Sequence, residues 1–265
     1  MDDEHLGDEH LRAAADVLLD MRRTQRIEPD LPPTLRPVTL EHAYAIQDLV
    51  VDGLLPDGAR RIGYKVACTS EIAQEALQID GPLFGRLLSH TSSPSGATLS
   101  ADRFVHRVVE AEFGFRIGTD VTTGPHTAES IRAHIDAVVP AIEIVDYRFE
   151  SWAVGALPVA ADNAIHGWWV HGGPVTDWTH LDLRSSGVEV SRNGRVVTSG
   201  SGAAVLGHPL TVMAWLADEL AGRGRQLRAG DLVTTGVTTD VFEADAGDTV
   251  EAWFEGLGTV ELSLR

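Results

Sequence analysis

From Val108 to Phe115 the chain reads Val-Val-Glu-Ala-Glu-Phe-Gly-Phe, and this strict alternation leaves little choice of local structure. Successive side chains of a strand point to opposite faces, so Val109, Ala111, Phe113 and Phe115 share one face and Glu110 and Glu112 the other. Two carboxylates on one strand face repel, and such a pair persists where a cation or a shared proton offsets the repulsion. Further along, Ala141-Ile-Glu-Ile-Val-Asp146 sets Glu143 among Ile142, Ile144 and Val145. A buried acid needs a partner. Three carboxylates with no Cys or His among them suit a hard cation, Mg2+ or Mn2+, which keeps positions open for water or substrate oxygens. The same spacing also fits a solvated strand face, with Glu143 paired to an arginine.

The basic residues narrow the chemistry. Lys65 is the one lysine; every other one of the 21 basic residues is arginine. An ammonium can be shifted to lose its proton and a guanidinium cannot, so a lysine kept in an arginine-rich chain points to proton chemistry; the alternative is a snorkelling surface lysine for which the small Gly63 makes room. Against 39 acidic residues the net charge is −18, which opposes nucleic acid or an anionic membrane as partner. Met1-Asp-Asp-Glu-His5 is acidic where a secretion signal is basic and then apolar, and no run of about 18 apolar residues follows, so a cytoplasmic protein is expected. Cys68 stands alone, which excludes an intrachain disulfide and a thiolate zinc cage.

Helical spacing of Leu11, Ala14, Ala15, Leu18 and Leu19 predicts a first helix, broken by Pro29, Pro32 and Pro33. Thr39 caps a second, closed by Pro56 to Gly58. These two form an N-terminal helical layer over residues 1–58, with one main domain over 59–265. There, Arg61–Ala67 alternates as a strand, Ser70 caps a short helix to Leu77, and Ile79–Leu88 reads as turn and loop. Thr127 caps a helix carrying Ile131, Ile135 and Val138. Ala160–Asn163 reads as a polar turn before the aromatic strand His166–Val170. Asn193-Gly194 joins two β-branched runs, the signature of a tight hairpin. His208-Pro209 opens a helix to Gly222, and three alternating strands finish the chain.

Arg61-Ile-Gly-Tyr-Lys65, Ile79-Asp-Gly-Pro-Leu-Phe-Gly-Arg-Leu-Leu88, Val109-Glu-Ala-Glu-Phe113, Pro140-Ala-Ile-Glu-Ile-Val-Asp146, Ala161-Asp-Asn-Ala164 and Gly230-Asp-Leu-Val-Thr-Thr-Gly236 occur in this order. Together they resemble the hydratase/decarboxylase branch of the fumarylacetoacetate hydrolase superfamily, the 2-oxopent-4-enoate (2-hydroxypenta-2,4-dienoate) hydratases and 4-oxalocrotonate decarboxylases of aromatic catabolism. The resemblance implies an α+β fold, a mixed β-roll with flanking helices, and a homo-oligomer, for which the adjacent Trp168 and Trp169 offer apolar surface. It also implies that Glu110, Glu112 and Glu143 bind Mg2+ or Mn2+, that Lys65 and Asp162 are catalytic, and that Asn163, Thr235 and Gly236 border a small 2-oxo acid substrate.

In that branch the ion stabilises an enolate while Lys65 moves a proton at C3; water adding at C4 gives hydration, and loss of a terminal carboxylate gives decarboxylation. Acylpyruvate hydrolysis, or a non-catalytic scaffold that binds metal and acid, are the further alternatives. Two positions depart from the branch. Leu83 stands where hydratases of this kind carry an acid, which implies slow hydration of the five-carbon dienoate and a substrate with an apolar tail. His166 stands where a small hydroxyl is expected and is a candidate to supply the missing acid-base function.

Overall fold

The computed structural model describes residues 7–122 and 124–265, and the acidic start Met1–His5 lies outside them. Helix α1 (Asp8–Thr24) has Asp8 and Glu9 in its first turn and Arg22 and Arg23 in its last, matching the helix dipole at both ends. In α2 (Leu40–Leu54) the Thr39 hydroxyl accepts from the His42 N–H at 3.1 Å. β1 (Arg61–Ala67), α3 (Glu71–Leu77), β2 (Leu83–Leu88), β3 (Ser92–Pro94) and β4 (Ala97–Leu99) lead to the two long strands, β5 (Val108–Ile117) and β6 (Ile135–Val145), joined through α4 (Ala128–Arg132). Next come α5 (Ala156–Ala161), β7 (His166–His171), the hairpin β8 (Gly187–Arg192) and β9 (Arg195–Ser201), and α6 (Pro209–Gly222). β10 (Leu232–Val237), β11 (Phe242–Glu243), β12 (Thr249–Phe254) and β13 (Gly258–Leu264) end the chain.

The fold is α+β, a β-roll with helices around it. A mixed sheet runs β2-β1-β10-β5-β6-β7-β3, with β11 on β5, and a second runs β4-β13-β12-β8-β9. Phe113 of the first meets Phe254 of the second edge-on, ring centroids 5.4 Å apart. The N-terminal helices share this core: Ala14, Leu18, Ile46 and Val50 belong to the same buried cluster as Val109, Phe113 and Val233. Gln47 of α2 donates to the carbonyls of Phe84 and Ala160 at 2.9 and 2.7 Å, fixing the layer to β2 and α5.

Three local expectations are corrected. Residues 83–88 form a fully buried strand rather than a loop, because Gly85 acts as a point of close approach: a Cβ there would lie 2.5 Å from the Asn163 carbonyl oxygen. The helix capped at Thr127 stops at Arg132, so Ile135 and Val138 belong to β6. Their spacing fits a helix, yet the β-branched run that follows is satisfied by ten residues of pairing with β5. Ala160 and Ala161 end helix α5 rather than lie in a polar turn. Trp168 and Trp169 are only 9% and 0% exposed, buried within this one chain, and so offer no surface to a partner.

Candidate active site

Pairing of β5 with β6 sets Glu110 directly opposite Glu143, with Glu112 one step along the same face opposite Ala141. Carboxylate oxygens of Glu110, Glu112 and Glu143 all lie within 4.8 Å of one another. Glu112 and Glu143 are fully buried, which removes the solvated-face reading. Like charges directly opposite on a sheet repel, and burial strengthens the repulsion. Glu112 Oε2 accepts from the Thr234 hydroxyl, while its Oε1 is buried without a donor. Three converging carboxylates with an orphaned oxygen and no softer ligand fit a hard divalent cation.

Lys65, 1% exposed on β1, completes the charge balance. Its Nζ lies 3.2 Å from Glu143 Oε2 and donates to the Ala164 carbonyl at 3.1 Å. Burial favours the neutral amine, but Glu143, Glu110 and Glu112 outweigh it and raise the Lys65 pKa. A cation on the carboxylates removes that support and leaves the burial, which moves Lys65 back towards the neutral form. Burial, opposed by Lys65 and reinforced by Glu143, raises the Glu110 carboxyl to about 7. Burial together with Glu143 and Glu110 raises Glu112 well above the usual carboxylate range. Glu143 goes the other way: burial is outweighed by Lys65 and by the His166 hydrogen bond, and its pKa is lowered.

The sign of the pH dependence follows. Glu110 and Glu112 hold protons at a pH where ordinary carboxylates do not, and a cation must displace them. Mn2+ affinity is therefore expected to weaken as pH falls through about 7, by up to about tenfold per unit for each proton displaced. Calorimetry in two buffers of different ionisation enthalpy would count the protons; an affinity independent of pH across this range would show that the acids bind no proton.

Beside Lys65 and Glu110 opens a cavity of about 360 Å3. Its wall includes Lys65, Glu110 and Gly236, but not Asp162, Asn163, His166, Leu83 or Thr235. Gly236 adopts φ +94°, and a Cβ there would fall 2.0 Å from the Thr69 hydroxyl oxygen, so no other residue fits. Thr235 turns away and donates to the Phe113 carbonyl at 2.9 Å. Leu83 pairs with the wall residue Ala67 but is itself 1% exposed, packed into the core next to the cavity.

His166 and Asp162 lie outside the cavity wall, and each is held by partners of its own. His166 Nδ1 is 2.7 Å from Glu143 Oε1 and Nε2 is 3.2 Å from the Thr91 hydroxyl, so both ring nitrogens are engaged and the ring orients Glu143. Burial lowers its pKa despite the carboxylate. Asp162 is buried between Arg22 of α1 and Arg148, which also grips Asp146. Asn163 accepts from the Arg86 N–H at 2.7 Å and donates to the Arg86 carbonyl at 3.1 Å. Between these anchors Asn163, Ala164 and Ile165 run through three successive left-handed conformations, φ 52°, 47° and 55°, which aim the Ala164 carbonyl at Lys65. Sequence reasoning missed Arg22 and Thr234, since an arginine ending a surface helix and a threonine in a strand carry no local sign of their partners.

Arg22→Ala leaves Asp162 buried with only the longer contact to Arg148, and breaking a buried pair of this kind costs about 3 kcal/mol. The urea midpoint is expected to fall accordingly; an unchanged midpoint would mean that the N-terminal helix is held by apolar packing alone.

The family described as fumarylacetoacetate (FAA) hydrolase C-terminal matches residues 66–265. Among relatives, 2-keto-4-pentenoate hydratase 1 of Dechloromonas aromatica (strain RCB) is 38% identical over 221 residues, 83% of this chain and 84% of its own. The 4-oxalocrotonate decarboxylase of Pseudomonas putida is 32% identical over 253 residues, 95% and 93% of the two chains. Among solved structures, 4-oxalocrotonate decarboxylase from Pseudomonas putida G7, complexed with magnesium and adipate, superposes with a TM-score of 0.93 at 29% identity, over 98% of this chain and 99% of that one.

Proposed function

The chain belongs to the fumarylacetoacetate hydrolase family, and from that premise we propose that it is a metal-dependent lyase of small 2-oxo or 2-hydroxydienoic acids, a 2-oxopent-4-enoate hydratase in type. The observation that carries this reading is the meeting of three glutamates, two of them fully buried, with one buried lysine, beside a cavity whose wall Lys65 and Glu110 join. Glu110, Glu112 and Glu143 would hold Mg2+ or Mn2+. When bound, such an ion supplies Lewis-acid stabilisation of the negative charge that develops on the 2-oxo oxygen. Lys65 holds or delivers the proton on the substrate's carbon skeleton, steadied by the Ala164 carbonyl. His166 fixes the Glu143 carboxylate, Asp162 and Asn163 fix the left-handed turn, and Gly236 lets the substrate approach the backbone. Decarboxylation of a 4-oxalocrotonate-type acid is the second reading, favoured by the structural likeness to such an enzyme.

Residues 1–58 serve as a layer of the catalytic unit at 59–265, and the protein works in the cytoplasm; among the described residues no helix is long and apolar enough to cross a membrane. We also take it to be a homo-oligomer. Support comes from Val196 and Val197 on β9 and Trp253 on β12, exposed on the second sheet, and static light scattering tests it. For the activity, the test is the loss of 2-hydroxypenta-2,4-dienoate absorbance with added Mg2+ or Mn2+. Tight metal and 2-oxo acid binding without consumption of dienoate or 4-oxalocrotonate would leave a binding scaffold instead.

A further inference from the structure

We infer that the substrate of this site is a monocarboxylate whose far end is an alkyl or aryl tail, and that the cavity discriminates against a second carboxylate there. This rests on the lyase reading and adds the chemistry of the substrate's other end. Of the nine large apolar side chains exposed among the described residues, Ile72, Trp152 and Val241 line this one cavity. They stand at its open side, with Leu77, Val159 and Ile165 buried in the wall behind. Trp152 stacks on Tyr147, centroids 4.2 Å apart and planes 12° from parallel, so this aromatic wall is in place before anything binds.

The charges point the same way. Among the described wall residues Lys65 is the only lysine or arginine, and it is already paired with Glu143. The acid at the open side is Asp240. A terminal carboxylate would give up water to meet apolar side chains and a like charge, with no guanidinium or ammonium to receive it. An apolar tail gains instead, about fourfold in affinity for each methylene buried. A decarboxylase must admit that second carboxylate, so the same wall favours hydration. The preference comes from the cavity wall and not from Leu83, which lies outside it.

The test uses the full chain loaded with Mn2+ and three saturated 2-oxo acids, 2-oxopentanoate, 2-oxooctanoate and 2-oxoadipate, titrated by calorimetry. Binding of 2-oxooctanoate is expected to be at least about tenfold tighter than that of 2-oxopentanoate, and 2-oxoadipate is expected to be weakest. Trp152→Ser is expected to erode the advantage of 2-oxooctanoate, and Asp240→Arg to tighten 2-oxoadipate at least about tenfold. Equal affinity for the two monocarboxylates, or tighter binding of 2-oxoadipate by the wild type, would overturn the tail assignment and leave the lyase reading standing. Failure of all three acids to bind would overturn both.

Discussion

Lys65→Arg is expected to lose nearly as much turnover as Lys65→Ala, about a hundredfold to ten-thousandfold in kcat, while Mn2+ still binds. Arginine keeps the charge beside Glu143 but cannot release its proton at any working pH. Lys65→Ala removes the charge as well, so the difference between the two variants reads the electrostatic share of the role. Single-turnover kinetics on the dienoate, with metal affinity measured in parallel, separates proton transfer from binding. If Lys65→Arg kept most of the wild-type rate, Lys65 would be an electrostatic partner of the glutamates and no more.

Glu110→Gln/Glu112→Gln is expected to weaken Mn2+ binding by at least about a hundredfold, more than the loss of groups that merely orient ligands. The same variant is expected to raise the stability of the metal-free protein by about 1–3 kcal/mol, because it removes two carboxylates, one fully buried and one half-buried, that crowd Glu143. Opposite signs for binding and stability are the mark of a functional cluster. Calorimetry and urea denaturation without metal measure the two. Unchanged Mn2+ affinity would move the ion elsewhere, and a large loss of stability would make the glutamates structural.

Much of this was legible in residues 108–115 and 141–146, because alternation assigns faces without knowledge of any partner strand. Glu110 and Glu112 therefore share a face in sequence and structure alike. Register was not legible: that Glu143 sits opposite Glu110, and not one residue away, is set by pairing along the whole of β5 and β6. His166 and Asp162 were legible as neighbours of the site but their contacts were not, since proximity can be read from a motif and a hydrogen-bond partner cannot. Thr91 and Arg22, which supply two of those contacts, lie 75 and 140 residues away in the chain. Residues 83–88 were hidden by Gly81, Pro82 and Gly85, which signal a turn unless a neighbour requires a missing Cβ.

The left-handed turn at Asn163–Ile165 bears on how the molecule loses activity on heating. Each non-glycine residue held in that region costs on the order of 1–3 kcal/mol, so the turn lasts only while Arg86, Lys65 and the arginines around Asp162 hold it. The three residues are themselves buried, so the turn opens only where those contacts give way. Thermal inactivation is therefore expected to begin where those contacts fail, with the Ala164 carbonyl leaving the ammonium while β5 and β6 are still paired. Amide exchange at residues 163–165 would run ahead of exchange in those strands, and the temperature at which catalysis fails would lie below the temperature at which the β-roll melts.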